Sequence, residues 1–324
     1  MNNNHMKALT FSEFGSADVM KYINIPLPEA HDGEVLVEMK AIGLNYADIY
    51  RRKGNYHLKG TPPYIAGYEG AGIISLSKSE KYSIGDRIAF ADVPFANAQY
   101  VVVPESHIIP IPDNIKMELP ASVLLQGLTA QYLAEDSHAV KENEIVLIHA
   151  ASGGVGQILT QICKMKGAIV IGLTRSDAKK EIILRNKGDF ALNIKEDWKE
   201  EVMQITNNKG VDVVFDSVGS SLADSFDVTR ECGHVVFYGM SGGDPALVDP
   251  RMLMDTSKTL TGGDLWSYLN SESERQKRAA KLFQWISEGF IQVAPASTFP
   301  LSEGKAAHEY LESGKSVGKV LLIP

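Results

Sequence analysis

Cysteine is nearly absent from this chain: two residues, Cys163 and Cys232, in 324. They form no Cys-x-x-Cys pair, and no two histidines stand at helical spacing, so the usual ligand patterns of a zinc site are missing. Both cysteines fall in apolar patterns that read as helical, as buried free thiols of a reducing cytoplasm would. Long hydrophobic runs are missing too. None approaches roughly 18 residues, so no membrane-spanning helix is expected. The polar start, Met1 to Met6, lacks the apolar segment of a signal peptide. Met1-Asn2-Asn3-Asn4-His5 reads as an expression scar and is left out of the fold reading. Basic residues are in deficit, 32 Lys and Arg against 40 Asp and Glu, for a net charge of −8. That argues against nucleic acid or an anionic membrane as a bulk partner, while leaving room for a local basic pocket.

The rest of the composition, 44% hydrophobic and 22% charged, is that of an ordinary globular protein, and the length suits two domains. Residues 7–124 read as mostly β. Val35–Met39, Gly70–Ser75, Arg87–Phe90 and Gln99–Val103 have a strand character, punctuated by Gly and Pro. After Pro110, Pro112 and Pro120 the rhythm changes. Short apolar runs at Ile145–His149, Ala168–Leu173, Val211–Asp216 and His234–Tyr238 are separated by helical patterns around 156–166, 177–187, 196–207 and 221–230. Alternating strand and helix predicts a parallel sheet covered on both faces. A further helix is expected near 273–288 and a last strand at Lys319–Ile323.

One segment carries chemistry. The apolar run Ile145–Ile148 enters Ala150-Ala151-Ser152-Gly153-Gly154-Val155-Gly156, and apolar residues at helical spacing follow. This is the strand, tight turn and helix of a dinucleotide-binding unit. Gly153 lets the backbone approach a pyrophosphate, Gly156 lets helix and strand pack closely, and the helix N-terminus offers N–H groups to the phosphates. Ala151 replaces the usual first glycine.

The second strand decides which nicotinamide is expected. It ends in Thr174-Arg175-Ser176, with Lys179 and Lys180 close behind. An NAD site would carry an acid at this tip to hold the ribose diol. Hydroxyls with Arg and Lys instead suit a 2′-phosphate, which favours NADPH. Of the eight histidines, His149 sits in an apolar strand and His31, His57, His107 and His138 in scattered loops. They read as satisfied or solvated side chains, and no metal is expected.

The run Asn143-Glu144-x-x-Leu147-x-x-x-Ala151-Ser152-Gly153-Gly154-x-Gly156-x-x-x-x-Gln161-x-x-Lys164 resembles the signature of zeta-crystallin-type quinone oxidoreductases, of the medium-chain dehydrogenase/reductase superfamily. The resemblance extends from Met6 to Pro324 and includes Gly43–Asp48, Ala66–Gly72, Gln126–Ala130, Phe215–Gly219 and Gly318–Val320. It implies an α/β fold: a Rossmann doubly wound parallel sheet (124–263) plus a GroES-like β-rich catalytic domain (1–123 and 264–324), with the active-site cleft between them. Zinc-dependent relatives place ligands where this chain has Asn45, Tyr68 and, nearby, Gln126, so the resemblance implies a zinc-independent branch.

The same resemblance implies a layout. Ser152, Gly153, Gly154, Val155 and Gly156 would hold the pyrophosphate. Thr174, Arg175, Ser176 and Lys179 would hold the 2′-phosphate, although Ile194 stands where some NADPH-using members have a tyrosine. Asn45, Tyr50 and Thr129 would approach the nicotinamide half. Ser217, Gly239, Met240 and Ser241 would line the cofactor site. Tyr50, Tyr56, Tyr68 and Gln126 would form the substrate pocket, with Tyr50, Tyr56 and Asn45 as catalytic candidates. Tyr56 either donates a proton or only shapes the pocket. Hydride transfer to an electron-poor quinone needs mainly positioning and exclusion of water. The expected activity is metal-independent reduction of quinones by NADPH. Reduction of activated C=C bonds in enones, enals or enoyl thioesters is the nearest rival. A redox sensor or structural protein that binds NADPH with little turnover is the rival of another class. The apolar segment Thr259–Gly263 reads as an edge strand and suggests a cytoplasmic homodimer.

Overall fold

A computed structural model describes residues 4–324. The chain divides into two compact units. The first takes the chain up to Leu125 together with Leu269–Leu282 and Ala294–Pro324; the second takes Gln126–Tyr268 and Phe283–Val293.

The first unit begins with β1 (His5–Phe11), β2 (Lys21–Pro26), β3 (Glu34–Leu44), α1 (Tyr46–Lys53), β4 (Tyr64–Ile65), β5 (Gly70–Ser77), β6 (Arg87–Phe90), β7 (Tyr100–Pro104) and β8 (Ile109–Pro110). Setting aside the first five residues is corrected in part. Residues 1–3 lie outside the described residues, but His5 opens β1 and the Asn4 carbonyl accepts the Leu27 N–H at 2.9 Å. The long strand β3 pairs antiparallel with both β5 and β7. Its Val35, Val37, Met39, Ile42 and Leu44 join Ile74, Ile88, Phe90, Val101 and Val103 in the core of this unit. The helix α1 is missing from the all-β reading of this stretch. It is only eight residues long and is held by its ends rather than by a long apolar stripe: the Asn45 N–H donates to Asp48 at its start, and Gly54 closes it at φ 84°.

α2 (Glu118–Tyr132) runs on into a π-helical turn, Leu133–Ser137. The second unit then alternates as expected: β9 (Ile145–Ile148), α3 (Gly154–Met165), β10 (Ile169–Thr174), α4 (Lys180–Arg185), β11 (Phe190–Asn193), α5 (Trp198–Ile205), β12 (Val211–Asp216), α6 (Leu222–Asp227), β13 (Thr229–Phe237), α7 (Pro250–Thr256), β14 (Thr259–Gly262) and α8 (Leu265–Tyr268). The strands form one parallel sheet in the order β11-β10-β9-β12-β13-β14. The order reverses between β9 and β12, the switch point at which doubly wound sheets bind ligands. Buried Leu147, Ile171, Val214 and Val235 meet Trp198, Val202, Leu222 and Phe226 of the covering helices.

Two local readings need correction here. The helical pattern at 221–230 stops at Asp227, because Thr229 already pairs with Val211. Cys232 therefore lies on a strand, exposed and at φ 57°, while Cys163 on α3 is buried as expected. The four residues of β11 are too few to be seen as an apolar run.

The chain returns through α9 (Glu272–Ser287), β15 (Ser297–Pro300), α10 (Gly304–Glu312) and β16 (Val320–Ile323). β16 pairs with β3 to complete the sheet β15-β16-β3-β5-β6-β8. Residues 283–293 belong to the second unit. There Gln161 and Gln292 exchange hydrogen bonds at 3.1 and 2.7 Å. Among the described residues no helix is long and apolar enough to cross a membrane.

Candidate active site

In the second unit, β9 delivers the chain into a turn through Ala150, at φ 50°. Gly153 caps α3 and offers no side-chain cap, so the first N–H groups of the helix are left to a ligand or water. A Cβ on Gly156 would lie 2.5 Å from the Ala150 oxygen and 2.6 Å from the Ala151 Cα. Both obstacles are backbone, so only glycine fits. At Gly153 the same test gives 3.1 Å to the Ala150 oxygen. A Cβ on Gly154 would fall 2.3 Å from the Gln126 amide, so that side chain lies directly over the turn. Ser152 and Thr174 are buried and bond to each other at 3.1 Å. They brace the turn against the end of β10 rather than face solvent.

Beyond that end, Arg175 and Ser176 are exposed and Lys179 is half-buried. Burial, reinforced by the charge of Arg175, holds the Lys179 ammonium below the usual lysine range. Two cations thus lie close enough at this end of β10 for the charge of one to act on the other. Asp177, which follows Ser176 in the chain, has partners of its own: Lys180 sits 3.0 Å from it and Asn193 donates to it at 3.1 Å. Lys180 reaches Glu196 as well, at 3.2 Å.

At the end of β12, the fully buried Asp216 organises the next turn. Its carboxylate accepts the Val218 and Gly219 N–H groups at 2.7 and 3.1 Å, and the Ser225 hydroxyl at 2.7 Å. Burial opposes its charge, but His149, Ser225 and those N–H groups prevail and hold Asp216 below the usual carboxylate range. Burial pushes the His149 imidazole down, against the pull of Asp216. The fixed turn presents the Ser217 carbonyl, which accepts both the N–H and the hydroxyl of Ser241 at 3.0 Å. Ser217, Gly239, Met240 and Ser241 are thereby brought together. Thr129 is buried on α2.

In the first unit, Asn45 is buried, and its amide is engaged from both sides. Nδ2 donates to Glu69 at 2.8 Å and to the Gly43 carbonyl at 3.2 Å. Oδ1 accepts from Lys319 at 2.6 Å. Lys319 also pairs with Glu69 at 2.5 Å, and the other Glu69 oxygen accepts the Leu125 N–H at 2.8 Å. Glu69 and Lys319 are 0% and 3% exposed, so this is a buried ion pair, braced by Asn45 and the Leu125 N–H.

Beside it lies an aromatic cluster. Tyr50 meets Tyr46 and Tyr56 edge-on at 5.5 and 6.1 Å. The Arg51 guanidinium lies 3.8 Å from the Tyr68 ring centre and 5.1 Å from that of Tyr56. Tyr50 and Tyr56 are half-buried; Tyr68 is buried. Burial raises the Tyr68 phenol above its ordinary range, with the Arg51 charge working the other way. Among the described residues no three His, Cys, Asp or Glu side chains are grouped to hold a metal ion.

Comparison with known proteins now fits this layout. Residues 31–113 match the alcohol dehydrogenase GroES-like domain, and residues 178–322 match the zinc-binding dehydrogenase domain. Quinone oxidoreductase 1 of Escherichia coli K12 is 32% identical over 326 residues, covering 98% of this chain and 99% of that one. The chain belongs to the quinone oxidoreductase family of the medium-chain dehydrogenase/reductase superfamily. A 2-haloacrylate reductase of a Burkholderia species is also 32% identical, over 96% of both chains. The crystal structure of E. coli quinone oxidoreductase complexed with NADPH aligns with a TM-score of 0.93 at 32% identity, over 98% of this chain and all of that one.

This oxidoreductase therefore has the Rossmann and GroES-like pair of folds that the resemblance implied. Its site contains groups that pattern reading passed over. Lys319 and Glu69 stand inside quoted motifs, yet nothing local marks them as partners, because they are 250 residues apart. Arg51, next to Arg52 and Lys53 in sequence, was not singled out; it is 2% exposed. His138, read as a loop histidine, lies 3.0 Å from His234, nitrogen to nitrogen.

Proposed function

We propose that this oxidoreductase uses NADPH to reduce electron-poor acceptors, quinones foremost, without a metal. The observation that carries the cofactor assignment is the pairing of Arg175 with half-buried Lys179 at the end of β10, where an NAD site would carry an acid. A 2′-phosphate, bearing close to two negative charges, neutralises that pair. The glycine turn supports the same reading, since Gly156 admits no side chain and α3 leaves its first N–H groups open. Bound NADPH would supply the hydride. The chain's part is to hold the pyrophosphate at Gly153–Gly156, to grip the 2′-phosphate with Arg175, Ser176 and Lys179, and to line the cofactor with Thr129, Ser217, Gly239, Met240 and Ser241. Asn45 holds Glu69 and Lys319 in register rather than offering a free amide. Tyr50, Tyr56 and Tyr68 supply flat walls for an acceptor, and Gln126 covers the glycine turn.

Reduction of activated C=C bonds is the second reading. It is favoured by Tyr56, a half-buried phenol in the aromatic cluster, and by the similarity to a 2-haloacrylate reductase. NADPH oxidation over quinones, enones and enoyl thioesters, with and without a chelator, separates these readings. Turnover with quinones that survives chelation is expected. Binding of NADPH with no turnover on any acceptor would leave a sensor or structural role instead. A homodimer formed through β14, the sheet's edge strand, and a cytoplasmic location complete the proposal. Light scattering that gives 35.4 kDa, the mass of one chain, would defeat the dimer.

A further inference from the structure

Gly153 and Gly154 give the turn before α3 a backbone that rotates at little cost, so its shape has to be imposed by other groups. Those groups include a buried amide. Gln157 is 6% exposed and lies in the first turn of α3. Its side chain folds back, and Nε2 donates to the Ser152 carbonyl at 2.9 Å. At the other end of the same peptide, the Gly153 N–H donates to the Ala150 carbonyl at 2.8 Å. A peptide is planar, so holding its C=O and its N–H fixes the plane. That plane sets the direction in which the chain enters α3, and with it the aim of the N–H groups that open the helix.

Gln157 is itself held. Its Oε1 accepts from Asn186 Nδ2 at 3.3 Å, and the same Asn186 nitrogen, at the end of α4, donates to the Ile182 carbonyl at 2.8 Å. The amide therefore turns its donor to the glycine turn and its acceptor to α4, and a flip would break both bonds. The main-chain carbonyl of Gln157 accepts from Gln161 Nε2 at 3.2 Å, and Gln161 is tied to Gln292 through both of its side-chain atoms. Glutamate could not replace Gln157, because a carboxylate has no N–H to give the Ser152 carbonyl. All of these groups are neutral, so they shape the turn without adding charge to it.

We propose that Gln157 is the positioning residue of the pyrophosphate turn: it holds the Ser152–Gly153 peptide so that the opening N–H groups of α3 face the pyrophosphate of a dinucleotide, and Asn186 keeps the Gln157 amide the right way round. This rests on the cofactor reading above. Gln157 acts through the turn and not on the cofactor directly; donors already in place cost less to engage on binding. Its effect belongs to the pyrophosphate. The 2′-phosphate is gripped by Arg175, Ser176 and Lys179, which carry their charges and hydroxyl without it. The two halves of the nucleotide should therefore separate in the response to substitution.

The test compares Gln157→Met, Asn186→Leu and the double variant Gln157→Met/Asn186→Leu with the parent. Four probes are bound to each: NADPH, NADH, ADP-ribose, which has the pyrophosphate but no 2′-phosphate, and 2′-AMP, which has the 2′-phosphate but no pyrophosphate. Gln157→Met is expected to weaken NADPH, NADH and ADP-ribose by a common factor of about five to ten, the worth of one hydrogen bond, and to leave 2′-AMP unchanged. Asn186→Leu should give the same pattern at smaller size. Each single variant strands a buried polar partner and lowers the denaturant midpoint. The double variant removes that donor and acceptor together, so the midpoint should partly recover. ADP-ribose binding should stay as weak as in Gln157→Met, a separation that a brace of the fold alone does not produce. Unchanged ADP-ribose affinity in Gln157→Met, loss of 2′-AMP in step with ADP-ribose, or binding that returns with stability would overturn the proposal. Failure of the parent to bind ADP-ribose would overturn it together with the pyrophosphate site. Equal parent affinity for NADPH and NADH would defeat the 2′-phosphate reading instead and leave the ADP-ribose comparison intact.

Discussion

The glycine turn of the second unit and the Asn45 network of the first are both precise, but they are made of different materials. In the turn, backbone meets backbone: Gly156 lies so close to Ala150 and Ala151 that a single methyl group has no room. No charged side chain takes part in that contact. In and around the Asn45 network, charges taken out of water meet counter-charges, two of them across 250 and 260 residues of sequence and one within its own helix. Lys319 meets Glu69, Arg51 meets Asp48, and Arg52, fully buried, meets Glu312 at 2.6 Å and His308 at 3.1 Å. A steric device fails locally when it is violated. An electrostatic one fails by leaving its partner charged and unsolvated, which costs more.

Removing one charge sharpens this contrast most. Lys319→Met should strand Glu69 and destabilise the fold by about 3–5 kcal/mol, read as a fall in the denaturant midpoint. Adding Glu69→Gln should recover most of the loss; if the double variant is no better than the single one, the pair is not the cause. At the edge of the cofactor site the penalty is smaller, because solvent is present. Lys179→Ala forfeits a charged contact worth roughly 1.5–3 kcal/mol, so the Kd for NADPH should rise about ten-fold or more, with little change for NADH. Equal loss for both cofactors would remove the 2′-phosphate from the argument. Gly156→Ala tests the steric device. Overpacking of about 1–3 kcal/mol is expected, with weakened NADPH binding, whereas Gly153→Ala, where the clash is milder, should cost less. Similar effects at the two positions would mean that the turn can relax.

The smallest expected effect is on pH dependence. Burial and the neighbouring Arg52 charge push His308 down from 6.5 to about 3, so it is neutral when folded. The unfolded chain binds that proton below pH 6.5 and the folded chain does not, so stability is full above 6.5 and drains away as pH falls toward 3. One pH unit below the unfolded value, this histidine should cost about 1.4 kcal/mol. His234, pushed down to about 4 by burial and by His138, adds to the same slope. Chemical denaturation at several pH values in the parent and in His308→Gln measures it. An unchanged slope in the variant would assign the acid sensitivity elsewhere.

Much of the second unit could be read without coordinates, because its signals are local. Ile145–Ile148, the glycine cluster and the apolar spacing of α3 lie within two dozen residues, and each element's period is set by its own neighbours. The end of β10 was legible for the same reason. The short strand β11 and the early stop of α6 were not, since four residues carry no reliable period and the pairing of Thr229 with Val211 overrides a helical pattern. Cys232 was misplaced by that same error.

In the first unit the sequence specified the tyrosines and Asn45 as candidates but not what they touch. Arg51 and Arg52 are adjacent basic residues that any pattern would put in water. The sheet of β3 and β16, closing over more than 250 residues, brings Lys319 to Asn45 and Glu69, and α1 turns Arg51 toward Tyr56 and Tyr68. Hydrophobic period and turn chemistry act between neighbours and so are written in order along the chain. A buried charge is tolerable only beside its counter-charge, and which residue that is depends on how distant strands pair, which only the folded chain determines.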